Sequence, residues 1–204
     1  MVLFGFHPAF LEHETPKWHP EAGVRLDAVL AGAAASGVSE ALRFFAPPET
    51  GAELAHVLRV HDQSYLDRLA VIGEAGGGYL DPDTHVGPSS LRAALLAAGT
   101  GLEAVRLLAT GGDSAAFLAL RPPGHHAGRS VGMGFCLLNN VAITARALAD
   151  QGRRVAIVDF DAHHGNGTQE IFYEDPGVLY VSLHQYPWYP GTGAFEERGS
   201  GAGE

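Results

Sequence analysis

Residues 155–167 read VAIVDFDAHHGNG, an apolar run suited to a buried strand followed at once by two carboxylates, two imidazoles and two glycines. Asp159, Asp161 and His163 stand at i, i+2 and i+4, so an extended chain sends their side chains to one side. An acidic pair at the end of a buried strand is costly unless something positive compensates it, and a divalent cation is the usual compensation. The competing reading, a strand end with solvated polar side chains, explains this density of ligand types less well. A second imidazole pair, His125 and His126, lies in RPPGHHA. Adjacent residues point in different directions, so these two can flank a bound water.

These residues narrow the chemistry. A serine hydrolase needs a nucleophile on a strained turn, and no Gly-x-Ser-x-Gly is present. Cys136, in GFC, is close in sequence to His125 and His126, but nothing marks a helix N-terminus that would lower its pKa. A mononuclear metal hydrolase fits better: its ion polarises a carbonyl and activates water while a neighbouring imidazole handles the proton. In that scheme Asp161 and His163 are the ligands. Asp159, one pleat earlier, holds a neighbouring histidine in one tautomer, and Asn166 does the same for another without charge.

The elements that must position these groups follow from periodicity. Ala115 to Leu120, Val155 to Phe160 and Val178 to Leu183 are almost continuously hydrophobic, as strands covered on both faces should be. A helical stripe, Val141, Ala145 and Leu148, separates the first two and stops at Gly152. Strand, helix, strand predicts an α/β fold with a parallel sheet flanked by helices. In open α/β sheets the active site lies beyond the carboxyl ends of the strands. The three runs are followed by RPPGHH, by DAHH and by HQ, so the unusual chemistry falls on one edge. Upstream, Pro20 is expected to open a helix with stripe Leu26, Val29, Leu30 and Ala33, ended by Gly37. Arg43 to Ala46 reads as extended. Two short amphipathic helices follow, with Asp62 as a cap between them, and a long helix runs from Leu91 to Gly111-Gly112. Gly76-Gly77-Gly78 reads as a turn because no Lys-Ser or Lys-Thr pair follows. His7, His13 and His19 sit in an irregular segment and are poor ligand candidates on spacing.

Composition sets outer limits. The 204 residues suffice for one domain with a full core. A formal charge of −10 disfavours nucleic acid, whose phosphates need clustered Lys and Arg, and suits a cationic or neutral ligand. No run approaches a membrane span and MVLFGFHPAF lacks the features of a signal peptide, so a cytoplasmic setting is expected. One cysteine excludes an intrachain disulfide. Self-association as a homo-oligomer is left open.

Four motifs carry a resemblance: RPPGHHA, GFCLLNN at 134–140, DFDAHHGNGTQ at 159–169, and PGTG at 190–193. With HPE at 19–21 and DPDTH at 81–85, they resemble the histone deacetylase family, and Asn166 favours its class II and acetylpolyamine amidohydrolase branch. The resemblance implies the arginase-deacetylase fold and zinc-dependent hydrolysis of an N-acetyl amide on an acetylated amine. Asp161 and His163 would bind zinc. His126 would be the proton-transferring base and acid, with His125 supporting it, and Asp159 and Asn166 would orient His125 and His126 respectively. A structural potassium would map to Asp159, Ser182 and main-chain oxygens of Asp161, His163 and Leu183. Gly134 and Phe135 would line the acyl channel with Tyr189 opposite, and Asp83 would sit at the rim. The related two-manganese motif of ureohydrolases, Asp-Ala-His-x-Asp, is broken here by Gly165, which disfavours a binuclear site.

The family pattern also includes a third zinc ligand, an Asp, and an oxyanion-stabilising Tyr, both later than residue 204. A catalytic zinc normally keeps three protein ligands. The expected organisation is therefore residues 1–204 as the N-terminal part of a single deacetylase domain, truncated on its C-terminal side. The alternative is a catalytically incomplete module that binds metal or acyl groups without turnover.

Overall fold

The structure, a computed structural model, describes all 204 residues. In chain order it contains β1 (Val2–Gly5), α1 (Val24–Ala35), β2 (Leu42–Phe45), α2 (Leu54–Val57), α3 (Gln63–Glu74), β3 (Gly78–Tyr79) and β4 (His85–Val86). These are followed by α4 (Ser90–Ala109), β5 (Ala115–Leu118), α5 (Asn140–Ala149), β6 (Val155–Asp159), α6 (Asn166–Phe172) and β7 (Val178–Ser182). The principal strands are parallel: β1 lies between β2 and β5, with Phe4 opposite both Phe44 and Phe117, and β6 pairs with β7. A two-residue antiparallel hairpin, β3 with β4, presents the turn that carries Asp81 and Asp83.

Four expectations are corrected. The runs at 115 and 155 do not hydrogen-bond to each other; β5 pairs instead with β1, which in the sequence is only a short apolar opening. Nor are the β6 and β7 strands covered on both faces. Ile157 and Val178 enter a core shared with Leu137, Leu138 and Ile143, whereas the alternate positions Val158, Leu179 and Leu183 are roughly 60% exposed and Phe160 is 84% exposed. The helix expected from Pro20 begins at Val24, because Glu21 is turned inward and its amide donates to His19 Nδ1 at 3.1 Å. Asp62 precedes α3 as placed, but its carboxylate accepts from the Ser130 hydroxyl and not from the helix.

Packing centres on α4. Ala94 and Ala98 join the larger core with α3 and α5, while Leu96 and Ala97 face Phe4, Phe10 and Leu26. Small residues on this helix allow close approach, with Thr144 of α5 lying directly over Gly101.

The stretch between β1 and α1 is held to the end of β5 by a buried ion pair. Arg121 is 3% exposed and Glu21 is 1% exposed. Arg121 Nε donates to Glu21 Oε1 at 2.7 Å and Nη1 donates to the Phe10 carbonyl at 2.9 Å. His13 Nε2 stands 3.5 Å from Glu21 Oε2, and its Nδ1 stands 2.7 Å from Ser90 Oγ. Removing one partner of a buried pair strands the other charge, which typically costs about 3–5 kcal/mol. Arg121→Ala is therefore expected to lower the melting temperature by roughly 10 °C in a chain of this size, with part of the loss recovered when Glu21→Gln is added.

Buried neutral histidines predict acid sensitivity. Burial, helped by nearby Arg121, lowers the pKa of His13 from 6.5 to about 3, and burial lowers that of His61 to about 4. The unfolded chain takes up these protons more readily. The contribution is therefore complete above pH 6.5 and is lost as pH falls toward the folded-state values. Melting temperature should decline steadily between pH 6.5 and pH 4, and His13→Gln should flatten that slope by about one proton.

Candidate active site

The ends of β5 and β6 and the loops beyond them build one cavity of about 470 Å³. It is lined by Asp83, His125, His126, Gly134, Phe135, Asp161, His163 and Tyr189, together with Pro20, Glu21, Arg25 and Pro123. The turn after β5 delivers the two imidazoles, and the turn after β6 delivers Asp161 and His163. Asp159 and Asn166 stand behind the imidazoles.

Each imidazole of the first pair has one nitrogen committed. His125 Nδ1 is 2.9 Å from Asp159 Oδ2, and since a carboxylate only accepts, Nδ1 carries the proton and Nε2 is free. His126 Nδ1 is 2.8 Å from Asn166 Oδ1, whose amide nitrogen in turn donates to Met133 Sδ at 3.4 Å. The rings are in contact, with centroids 4.0 Å apart and planes tilted by 44°. Burial, with His125 adding to it, lowers the pKa of His126 to about 4, so its free nitrogen is unprotonated at neutral pH. Burial opposes the Asp159 charge, but hydrogen bonds from His125, the Asp161 amide and Tyr180 hold its carboxyl below the usual range. The Tyr180 hydroxyl donates to Asp159 Oδ2 at 3.0 Å, and burial together with that carboxylate raises the phenol's pKa.

Asp161 and His163 face each other across 2.9 Å, Oδ1 to Nδ1, and both side chains are about half exposed. Burial opposes ionisation of Asp161, while the His163 amide and imidazole outweigh it and hold the carboxyl low. Two ligands of a tetrahedral zinc with bonds of about 2.0–2.1 Å stand roughly 3.4 Å apart, so these donor atoms converge closely enough to share one ion. In kind the donor set fits zinc. In number it is short, since no group of three or more His, Cys, Asp or Glu side chains is arranged to hold a metal.

The walls are tightly specified. Gly134 has φ +54, and a Cβ there would collide with the His126 ring and come within 3.0 Å of the Tyr189 hydroxyl. Phe135 is the one non-glycine residue at positive φ, +70, and its amide donates to Thr84 Oγ1 at 3.0 Å. Tyr189 stands over His126 and His163 with ring centroids 5.3 and 5.9 Å away. Burial and the nearby Asp81 and Asp83 push its phenol up to about 12. Cys136 is fully buried and burial drives its thiol pKa up, which removes the cysteine-nucleophile option.

Ser182 and Leu183 lie beside Asp159 without lining the cavity. Ser182 pairs with Asp159 in the β6–β7 register and its hydroxyl lies 2.8 Å from His184 Nδ1, while the Leu183 amide donates to the Asp159 carbonyl at 2.8 Å. Several participants have no role in the sequence reading. His164, assigned nothing by spacing, is buried and bridges Thr192 Oγ1 at 2.7 Å and Gln169 Oε1 at 3.0 Å, which ties the start of α6 to the loop bearing Tyr189. Tyr180, Thr84 and Glu21 were equally hidden. The available signals are the HPE motif for Glu21 and the DPDTH motif for Thr84.

A family model described as histone deacetylase domain matches residues 19–204. The chain belongs to the histone deacetylase family. A probable deacetylase of Archaeoglobus fulgidus is 44% identical over 200 residues, 98% of this chain and 55% of that protein. The crystal structure of the HDA15 HD domain superposes with a TM-score of 0.92 at 39% identity, covering 100% of this chain and 61% of its own. An acetylpolyamine aminohydrolase from Burkholderia pseudomallei gives a TM-score of 0.84 at 32% identity, covering 100% of this chain and 70% of its own. The chain thus spans little more than half the length of its archaeal relative. Its helix-flanked parallel strands are those of the arginase-deacetylase fold.

Within this deacetylase framework Asn166 sets the charge behind His126. Replacing it by Asp puts a carboxylate at hydrogen-bond distance from Nδ1, and an opposite charge that close raises a histidine pKa by about 1–3 units. NMR titration of N166D should show His126 protonating at clearly higher pH than the wild type.

Proposed function

We propose that this chain supplies most of the catalytic machinery of a zinc-dependent amidohydrolase acting on N-acetyl amides, either acetyl-lysine or an acetylated polyamine or other small amine. The observation that carries the reading is the convergence on one cavity of two imidazoles, each with Nδ1 committed, and a carboxylate–imidazole pair whose donor atoms are 2.9 Å apart. Asp161 and His163 would hold the metal. When bound, zinc polarises an amide carbonyl and lowers the pKa of water. His126, free at Nε2, takes the proton of the attacking water and returns it to the departing amine. His125 supports it, held by Asp159. Gly134, Phe135 and Tyr189 enclose the acetyl group, and Asp83 at the rim engages the backbone or amine of the substrate. Asp159, Ser182 and the main-chain oxygens of Asp161, His163 and Leu183 form the potassium position of the same reading. A cytoplasmic setting belongs to it too; no helix is long and apolar enough to cross a membrane.

The same reading makes residues 1–204 the N-terminal part of one deacetylase domain, with the third zinc ligand contributed from outside them. Its support is spatial. A second cavity of about 540 Å³ runs along β6, lined by Ile157, Val158, Phe160 and Asp161 and by Pro123 to His125. The incomplete donor set and the uncovered strand therefore occur side by side. The missing third donor is also the observation that favours the second reading, a module that binds metal or acyl groups without turnover.

Zinc content and acetate release, measured on the full gene product and on the 204-residue chain, separate the two. The full product should bind one zinc per chain and release acetate from acetylated amines. H126A should lose roughly a hundredfold or more in rate while keeping its zinc, and D161A or H163A should lose the metal. Zinc loss in H126A would mean that base and ligand roles have been exchanged. No turnover by the full product on a panel of acetylated amines would favour the binding module.

A further inference from the structure

We propose that His19 is a positioning residue for the cavity's acidic rim, holding Asp83 where it selects acetylated amines that carry a second, positively charged nitrogen. The proposal rests on the amide-hydrolase reading above. His19 is almost fully buried, and both of its ring nitrogens are used. The Glu21 amide donates to Nδ1 at 3.1 Å, so a neutral ring has its proton on Nε2, which donates to the Asp83 carbonyl at 2.8 Å. The same ring meets Phe135 edge to face, with centroids 4.6 Å apart at 73°. One side chain thus joins the segment before α1, the rim turn and the channel wall.

The turn has its own internal bonds. Asp81 Oδ1 accepts from the amides of Asp83 and Thr84 at 3.1 and 2.6 Å, and the Leu80 amide donates to the Thr84 carbonyl at 3.0 Å. These shape the turn but do not fix where it stands relative to the cavity. Bonds to other segments do that: Thr84 accepts from the Phe135 amide, the neighbouring His85 bonds the Glu14 carbonyl at 2.9 Å, and His19 alone holds Asp83 itself. Asp83 lines the cavity with a second carboxylate, Asp81, beside it, and the one cationic side chain in the lining, Arg25, stands 3.9 Å from the Glu21 carboxylate. A ligand reaching the rim with an ammonium group therefore meets net negative charge whose position depends on His19. A neutral ligand of the same length is indifferent to it.

The test compares wild type, H19F and H19Q in the full-length, metal-loaded protein. H19F keeps the ring volume and loses the donor, whereas H19Q keeps a donor. The substrates are a mono-acetylated diamine and an N-acetyl alkylamine of equal length ending in a methyl group. H19F should raise KM for the diamine about tenfold, while kcat and both constants for the methyl-ended substrate move less than about twofold. H19Q should stay within about threefold of wild type, and H19F should add nothing further in a D83N background. Equal losses on both substrates, or an unchanged KM for the diamine, would overturn the proposal. Should H19F not fold, His19→Asn, too short to reach the Asp83 carbonyl, takes its place. If the wild type hydrolyses neither substrate, the hydrolase reading has failed, and calorimetric titration of the free diamine decides the positioning role separately. Weaker binding to H19F than to wild type keeps it, while equal binding, or none by the wild type, removes it.

Discussion

The buried pair between Glu21 and Arg121 is the interaction from which the site's geometry descends. Arg121 is the first residue of the turn that delivers His125 and His126, and its guanidinium reaches back to Glu21 and to the Phe10 carbonyl. Pairing costs two desolvations, which the close contact and the additional hydrogen bond offset in part. What the pair secures is placement. It fastens a segment without regular structure, residues 13–21, against the end of β5, so that Pro20, Glu21 and the imidazole pair become walls of one cavity. His13 closes the arrangement from behind as a neutral imidazole, because burial beside Arg121 depresses its pKa.

Charge inside the cavity is balanced by asymmetric support. His125 leans on a carboxylate and His126 on an amide, although the two ring centroids are only 4.0 Å apart. Two carboxylates would favour two imidazolium ions in contact, with mutual repulsion and no free nitrogen to accept a proton. With Asn166 behind it, His126 keeps a low pKa and an open Nε2, while the Asp159 carboxylate stays charged, stabilised by hydrogen bonds from His125, the Asp161 amide and Tyr180. Asp161 and His163, the other polar pair of the lining, bond to each other at 2.9 Å and are left about half exposed.

Much of this was legible in the chain because it is local. The strands at 155 and 178, the α5 helix between its asparagines and Gly152, and the clustering of polar groups after strands all follow from short-range periodicity. What escaped depends on contacts far apart in sequence. Leu3 to Phe6 is too short for periodicity to distinguish a central strand from an apolar terminus, and its identity comes only from pairing with β2 and β5. The expectation of full coverage for β6 failed because continuous hydrophobicity reports what a strand is suited to, not what packs on it. His13, His19 and His164 looked idle on spacing, since each binds partners on other elements, at Ser90, Asp83 and Thr192.

Gly165 shows how sequence and geometry constrain each other most closely. Read as a motif, it is the position at which a carboxylate needed for a second metal is missing. Seen in place, it is a position where even a methyl group does not fit: a Cβ would lie 2.5 Å from Asp159 Oδ2 and 3.0 Å from His125 Nδ1, and against the Tyr180 hydroxyl. The space an aspartate would need is occupied by the hydrogen bonds that hold His125. Restoring that carboxylate would therefore displace the Asp159–His125 contact before it could recruit an ion. In this packing a carboxylate at 165 and an imidazole supported by Asp159 exclude each other.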